Sequence, residues 1–389
     1  MNILFVTYDN FNNNSAIQIH TIANALAEAG NQCFVSVPND KYTAKRFIGG
    51  KIGYTPCEYG ETLHPSFSFQ DGKHPDIIHA WTPREIVRKQ CVLLRKRFPS
   101  ARLIVHLEDN EEAIVESNTG LPIEIICSFP DEKIVDIIPD IFSHPLRYRD
   151  FLSNANGITV IIDTLFRFVP EGKPALVVFP VIDMYRFCSQ PVNQAMRNGL
   201  GIGDEEIVVC YNGNVHNANL REVKSLYLAV ALANREHLPV SLVRTGINHR
   251  NPLDGLDKAT QSHFIELGFI EYGAIPACLA MADVLIQPGN VGEFNDYRLP
   301  SKIPEFLAMG KPVAVPETNI GRLLKNEEEA MLMSKGNALD ILEVIFRISN
   351  DKDLAKRLSE GSRKFAERHF SKEKILSRLI KFYEKILKS

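Results

Sequence analysis

The sequence predicts an α/β fold made of two doubly wound domains, each with a parallel sheet. Three observations predict it. At 389 residues the chain is long for one hydrophobic core, so two domains are the better expectation. Short apolar runs of strand length alternate with amphipathic helical stretches, the order of a βαβ unit, and the first run starts almost at residue 1. That alternation halts at a polar, proline-containing stretch and then begins again. The predicted division is a first domain over 1–187, a linker over 188–203, a second domain over 204–365 and a C-terminal helix over 366–389.

In the first half, Ile3–Thr7 is a buried-strand run, followed by a polar loop and a helix carrying Ile19, Ile22, Ala23 and Leu26 up to Gly30. Cys33–Val37 is the next strand. The loop after the first strand lies where such sheets bind ligands. It has no Gly-x-Gly-x-x-Gly, which gives a dinucleotide site little support. Asn14, Ser15 and Ala16 stand there instead, and the two small residues still allow close backbone approach. His20 reads equally well as a surface imidazole or as a ligand contact. Asp76–Trp81 is another strand, and its terminal Trp81 lines a pocket or, preferably, closes the core. The helix Pro83–Phe98 carries Arg84, Arg88 and Arg95, with Lys89, Lys96 and Arg97 beside them. A solvated basic face explains these better than contact with anionic lipid headgroups. Arg102–Leu107 is a strand, with His106 near its end, that empties into Glu108, Asp109, Glu111 and Glu112. Without histidines or a regular ligand spacing these acids are not read as a metal site. The stretch 119–145 fits no template. Gly157–Ile162 is the next strand, and Val177–Phe187 follows.

The second half opens with the strand Ile207–Tyr211, a sharp turn Asn212-Gly213-Asn214 and a long helix Leu220–Asn234 bearing Arg221 and Lys224. Val240–Gly246 and Ile265–Ile270 are further strands, and Ala282–Gly289 is another. The most informative stretch runs from Asn295 to Pro316. Pro300-Ser301-Lys302 opens a short helix that Ser301 can cap, Gly310 ends it, and Val313–Val315 is a strand. A helix start with free N–H groups and an ammonium suits a diphosphate. Glu305, one turn on, is placed to accept hydrogen bonds from hydroxyls such as those of a ribose. Arg244, just before the glycine at the end of its strand, can reach the same phosphates. An ordinary connection between helix and strand is the alternative reading of this stretch.

These residues resemble the retaining, family-four-like members of the GT-B glycosyltransferases (glycosyl transferases group 1), whose signature is a glutamate, a helix ending in Ala-Met-Gly, then Lys-Pro-Val. The resemblance spans nearly the whole chain and is strongest from Leu267 to Val315. It implies two Rossmann-like domains facing across a cleft, with the last helix returning to the first domain. It also implies that Glu305 holds the ribose of a nucleotide-sugar, that Phe269 and Ile270 lie beside the base, and that Gly213 belongs to the phosphate-binding turn. The family's second glutamate is replaced by Tyr297, with Asp296 or Glu293 as substitutes. Its Gly-Arg pair is absent, leaving Arg221 and Lys224 as replacements on the helix or as plain surface residues. Asn14-Ser15-Ala16 stands in place of its Gly-Gly pair. His106 and Asp109 occupy the places of a histidine that reaches the donor sugar and an acid near the acceptor, with a core histidine as the alternative for His106.

Composition sets limits on this reading. A net charge of -3 argues against a nucleic-acid surface spread over the molecule. Seven scattered cysteines read as reduced thiols, and no stretch reaches the roughly 18 apolar residues of a membrane span. The N-terminus lacks the pattern of a signal peptide. The expectation is a cytoplasmic enzyme, with peripheral contact at the inner leaflet as a variant. It transfers a sugar from a nucleotide-diphosphate sugar to a glycan, lipid-linked or small-molecule acceptor, with no resident metal or cofactor. A GT-B nucleotide-sugar epimerase and a non-catalytic sugar-nucleotide-binding scaffold are the alternatives.

Overall fold

The computed structural model describes the backbone of residues 1–47, 50 and 52–389, with the side chains at 259 and 293 outside the description. The chain forms two compact units, Met1–Val181 with Lys372–Ser389, and Ile182–Ser371. Each is the Rossmann-like α/β domain that the alternating pattern predicts.

The first unit contains strands β1 (Asn2–Thr7), β2 (Gln32–Val37), β3 (Thr55–Glu58), β4 (Ile77–Trp81), β5 (Arg102–Leu107), β6 (Gly157–Val160) and β7 (Ala175–Val177). All pair in parallel, in the order β3-β2-β1-β4-β5-β6-β7. β1 and β4 are buried along their whole length, because helices cover both faces of a parallel sheet. The strand order reverses between β1 and β4, so the loops leaving their C-terminal ends diverge and open a crevice. The helix Asn14–Glu28 starts where the Asn13 side chain accepts the Ala16 N–H at 2.9 Å. Asn14, Ser15 and Ala16 are therefore its first turn, not a loop.

The untemplated stretch 119–145 is a helical subdomain. Short helices Ile123–Cys127 and Asp131–Ile137 each begin directly after a proline, and their apolar faces close a small core of Val115, Ile123, Ile126, Ile134 and Ile138. The helix Lys372–Lys388 also belongs to this unit. Its Tyr383 hydroxyl bonds His79 Nδ1 at 2.7 Å, and Phe382 and Ile386 pack over Gly157, where a Cβ would lie 2.9 Å from either side chain. The expected C-terminal helix over 366–389 thus starts late. Residues up to His369 complete the preceding helix, Lys352–His369, of the second unit.

The second unit contains β8 (Ile207–Asn212), β9 (Val240–Thr245), β10 (Phe264–Gly268), β11 (Val284–Ile286), β12 (Val313–Pro316) and β13 (Met331–Met333). They too are all parallel, in the order β10-β9-β8-β11-β12-β13, which reverses between β8 and β11. The expected linker 188–203 is not a loose tether. It contains the helix Gln194–Gly199, and buried Arg197 holds it to this unit through the Met281 carbonyl at 2.8 Å and Asp283 at 2.9 Å. Of the expected run Val177–Phe187 only Val177 is strand, as the last residue of β7.

Candidate active site

In the second unit, the ends of β8 and β11 flank the reversal. β8 does not break into a sharp turn at Gly213. It runs on beside β9, with Gly213 N–H bonded to Thr245 O at 3.0 Å and Val215 N–H to Ile247 O at 2.9 Å. That contact requires glycine at 246, and the bare backbone at 213 gives the neighbouring side chains their place. A Cβ on Gly246, whose φ is +111°, would lie 2.5 Å from the Gly213 carbonyl carbon. A Cβ on Gly213 would lie 2.7 Å from Lys302 Nζ and 2.8 Å from the Tyr211 hydroxyl. Lys302 itself lies 3.3 Å from the Tyr211 hydroxyl, with its ammonium 4.9 Å from that ring. An ammonium is therefore held against bare backbone at the switch point.

Lys302 opens the helix Lys302–Ala308. Ser301 caps it with no side-chain hydrogen bond and has helical backbone angles, which corrects the expected cap. At seven residues the helix offers little dipole, so the positive charge at this edge comes from side chains. A second cation, Arg298, bonds Asn295 Oδ1 at 2.8 Å and approaches Glu222 at 3.7 Å. Burial, then Arg298, Lys302 and His249, push the His216 imidazole below its ordinary range, which marks how closely the positive groups gather. Gln287, at the end of β11, is buried with its Oε1 unpartnered. Pro300 and Tyr297, both half-buried, precede the helix.

Glu305 lies one turn behind Lys302 and is buried. Burial pushes its carboxyl up to about 7, against the pull of the Tyr272 hydroxyl, which donates to Oε1 at 3.1 Å, and of Lys302. Phe269 is exposed and Ile270 half-exposed after the edge strand β10.

Several expected donor contacts are placed elsewhere. Arg244 is fully buried. It pairs with Glu266, donates to Gly213 O at 2.7 Å and bonds Asn248 Oδ1, so it holds the Gly213 segment in place and does not face a phosphate. Arg221 is exposed, and Lys224 turns to the Asp254 carbonyl at 3.3 Å. The inward residue of that helix is Glu222, which the Asn295 amide and the Asn290 N–H bond at 2.7 and 3.2 Å. Asp296 accepts the Thr318 hydroxyl, and the Glu293 side chain lies outside the described residues.

The corresponding edge of the first unit is acidic. Glu108, just past β5, is buried and accepts hydrogen bonds from Trp81 Nε1 at 2.7 Å and from the Ser15 hydroxyl. Burial pushes its carboxyl up to about 7, with Asp109 adding to the rise and Ser15, Trp81 and Arg84 opposing it. The Arg84 guanidinium lies 3.9 Å above the Tyr8 ring and 3.6 Å from Glu111. Asp109, half-exposed, acts electrostatically on Tyr8, Arg84, Glu108 and Glu111. Ser15 and Asp109 are thus brought together as expected residues of one cluster. Glu108, Tyr8, Arg84 and the indole of Trp81 are members whose roles the sequence did not show. The only signal for them was position, since each lies within two or three residues of a strand end.

His106 is a core residue. It stacks on Trp81 at 4.1 Å, bonds Thr159 at 2.9 Å through Nδ1, and burial holds it well below its ordinary range. That corrects the direct sugar contact expected of it, because the indole covers the ring. Its Nε2 is buried without a partner. His20 stacks on Phe47 at 4.1 Å and bonds Tyr54 at 3.1 Å and Asn24 at 3.1 Å. Both ring nitrogens are engaged and burial lowers it to about 4, so it is a packing residue and not a ligand contact. The basic helix Glu85–Arg97 is largely self-paired. Arg88 bonds Glu85, Lys89 bonds Asp140, Arg95 bonds Asn154 O and Arg97 bonds His64 O. Among the described residues no His, Cys, Asp and Glu side chains group as metal ligands, and no helix is long and apolar enough to cross a membrane.

Residues 206–351 match the family model described as Glycosyl transferases group 1. No curated protein matches the chain. Among solved structures, the chain is similar to Anabaena Alr3699/HepE in complex with UDP, at 15% identity over 99% of this chain and 100% of that one, with a TM-score of 0.71. It is similar to sucrose-phosphate synthase from Thermosynechococcus elongatus, at 16% identity over 99% of both chains and a TM-score of 0.71. It is also similar to WaaG, a glycosyltransferase involved in lipopolysaccharide biosynthesis, at 12% identity over 96% and 98% of the two chains and a TM-score of 0.61. At these identities the likeness is one of fold, the GT-B architecture.

Proposed function

We propose that this chain, whose second unit matches the glycosyl transferases group 1 model, is a nucleotide-sugar-dependent glycosyltransferase. The observation that carries the reading is the Lys302 ammonium held over the Gly213 backbone at the β8/β11 switch point, with the Glu305 carboxylate one helical turn behind it. Such a pair fits the two ends of a nucleoside diphosphate, Lys302 and Arg298 taking the phosphates and Glu305 the ribose hydroxyls. UDP and UDP-glucose in the Anabaena HepE structures support a nucleotide-sugar as the donor.

In this reading the sugar is a hexose and the anomeric configuration is retained. The bond from the anomeric carbon to the diphosphate oxygen breaks as the bond to the acceptor oxygen forms on the same face, and the acceptor proton passes to the departing phosphate. Lys302 and Arg298 stabilise the negative charge that accumulates on the leaving group, a role for which preorganised charge is the effective device. No resident metal or cofactor is invoked. Arg244 and Gly246 act by fixing the Gly213 segment on which the ammonium rests. A cytoplasmic place in glycan synthesis goes with the reading.

A thermal-shift screen against UDP, GDP, ADP, TDP and their sugars tests the donor site, because a ligand that binds only the folded protein raises its melting temperature. The expected result is a shift with one nucleoside diphosphate that Lys302→Ala and Glu305→Ala both abolish. A shift unchanged in both variants overturns the site. Incubating the donor without an acceptor and following it by NMR separates transfer from epimerisation.

A further inference from the structure

We propose that the acceptor is uncharged at its reacting end: the crevice at the ends of β1, β4 and β5 takes a neutral polyol and rejects a phosphorylated one, and Glu108 with Asp109 sets that choice. This rests on the transferase reading above.

The argument begins with polar atoms that the fold buries and does not satisfy. At this edge the Thr7 and Thr82 hydroxyls and Glu111 Oε1 are buried with no hydrogen-bond partner, while Arg84 Nε is engaged as an ion pair 3.6 Å from Glu111 Oε2. Leaving such atoms bare costs roughly 1–3 kcal/mol each, so native proteins rarely collect several at one strand edge. Thr82, immediately after β4, also holds a φ of +80°, an uncommon backbone for a β-branched residue. Strain of that kind gathers at ligand sites. The three atoms come from segments that join at the β1/β4 reversal, where an open parallel sheet binds its ligand.

The chemistry of the bare atoms selects the ligand. Glu111 Oε1 as a carboxylate only accepts, and the threonine hydroxyls both donate and accept. A sugar or glycerol hydroxyl donates and accepts, so a polyol satisfies all of them together. A phosphate oxygen only accepts and leaves Glu111 bare. Charge points the same way. The groups facing Glu108 are Tyr8, Ser15, Trp81, Arg84 and Asp109, and beyond Arg84 stands Glu111, bonded by Ser143 at 2.8 Å. The Arg84 guanidinium is already shared between the Tyr8 ring and Glu111. A dianionic phosphate would enter among the carboxylates of Glu108, Asp109 and Glu111 with no cation left to receive it. The second unit's edge, with Lys302 and Arg298, is the one suited to phosphate.

The test is saturation-transfer NMR on the full chain at pH 8, with and without the nucleotide that stabilises it. The probes are methyl α-glucopyranoside and glycerol, each set against glucose 6-phosphate and glycerol 3-phosphate. The wild type is expected to bind the neutral member at least tenfold better than the phosphorylated one. Glu108→Gln, which keeps the shape that Trp81 and Ser15 contact, should narrow that gap at least threefold, and Glu108→Gln/Asp109→Asn should narrow it further. A melting curve for each variant shows that it folds, and Glu108→Gln alone suffices should the double variant not. Equal or tighter binding of the phosphorylated probes, an unchanged gap in Glu108→Gln, or no binding of either class overturns the proposal. Neutral-probe binding that depends on Glu108 in a protein that binds no nucleotide would uphold the polyol site while the donor reading fails.

Discussion

The two sheets reverse their strand order at the same place in their topology, yet the edges they offer there are opposites. The second unit's edge is glycine and cation: Gly213, Gly246, Lys302 and Arg298, with one buried carboxyl behind. The first unit's edge is carboxylate and hydroxyl: Glu108, Asp109, Glu111, Tyr8 and Ser15, with one committed arginine. One scaffold therefore supplies two strand edges of contrary charge. The topology decides where a ligand goes, and the few residues after each strand decide which ligand it is.

The sharpest way to break this contrast is to remove the cation. Lys302→Ala is expected to lower kcat/KM for the donor by about 10²–10³, the range for losing one preorganised donor to a developing anion. The same substitution should leave neutral-polyol binding at the other edge unchanged. Steady-state kinetics and the probe titration read the two effects separately.

Two glycines of the same contact should fail in different ways. In Gly246→Ala the new methyl meets the Gly213 backbone at 2.5 Å with φ at +111°, so neither partner can yield without moving a strand end. A loss of about 3 kcal/mol or more in stability is expected, visible in urea denaturation. In Gly213→Ala the methyl meets the far ends of Lys302 and Tyr211, which can swing aside. Stability should change by less than about 1 kcal/mol, while donor affinity falls about tenfold because the ammonium is displaced.

Both edges bury a carboxyl pushed up to about 7, Glu108 in the first unit and Glu305 in the second. An unfolded glutamate ionises near 4.5, so between about 4.5 and 7 the folded protein keeps protons that the unfolded chain has released. Stability from these two groups is full below that window and falls as pH rises through it. Glu108→Gln should therefore raise the melting temperature at pH 8 by a few degrees more than at pH 5, a gain of about 1–2 kcal/mol. Donor affinity should rise from pH 6 to 8 as Glu305 ionises, and Tyr272→Phe, which removes the hydrogen bond that favours the charged form, should move that rise to higher pH.

How far the sequence could be read follows the same contrast. The cation and the carboxyl of the donor edge share one contiguous motif, Pro300 to Gly310 followed by a strand, so spacing alone places Lys302 and Glu305 one turn apart. The acid edge is assembled from the ends of β1, β4 and β5 and a helix start, and no local pattern joins Tyr8, Ser15, Arg84 and Glu108. Asp109 was singled out one residue from buried Glu108, because alternation at a strand end is lost once the loop begins. His106 read as a site residue because the resembled family has a histidine at that strand end, whereas here Trp81 from the neighbouring strand covers the ring. Central strands were legible as apolar runs. The edge strands β3 and β13 were not, being only four and three residues long, and β3 carries Pro56.

The smallest expected effect tests whether the donor edge ends where the structure draws it. Arg221 and Lys224 looked like replacements for a missing basic pair, being cations on the helix after β8. A helix can present only one face to that edge, and Glu222 occupies it, tied to Asn295 and Asn290 of the motif. Arg221 and Lys224 consequently lie off that face, one exposed and one on the Asp254 carbonyl. Exposed charges outside the contact alter affinity mainly through long-range attraction, which physiological salt screens within about 8 Å. Arg221→Ala and Lys224→Ala are expected to change donor affinity and turnover by less than about twofold at 0.15 M salt. Glu222→Gln, by contrast, should weaken donor binding by several-fold, because it loosens the Asn295–Arg298 segment that carries the second cation. Weaker donor binding in Arg221→Ala and Lys224→Ala together with tighter binding in Glu222→Gln would mean that the helix contributes to the edge only through its net charge.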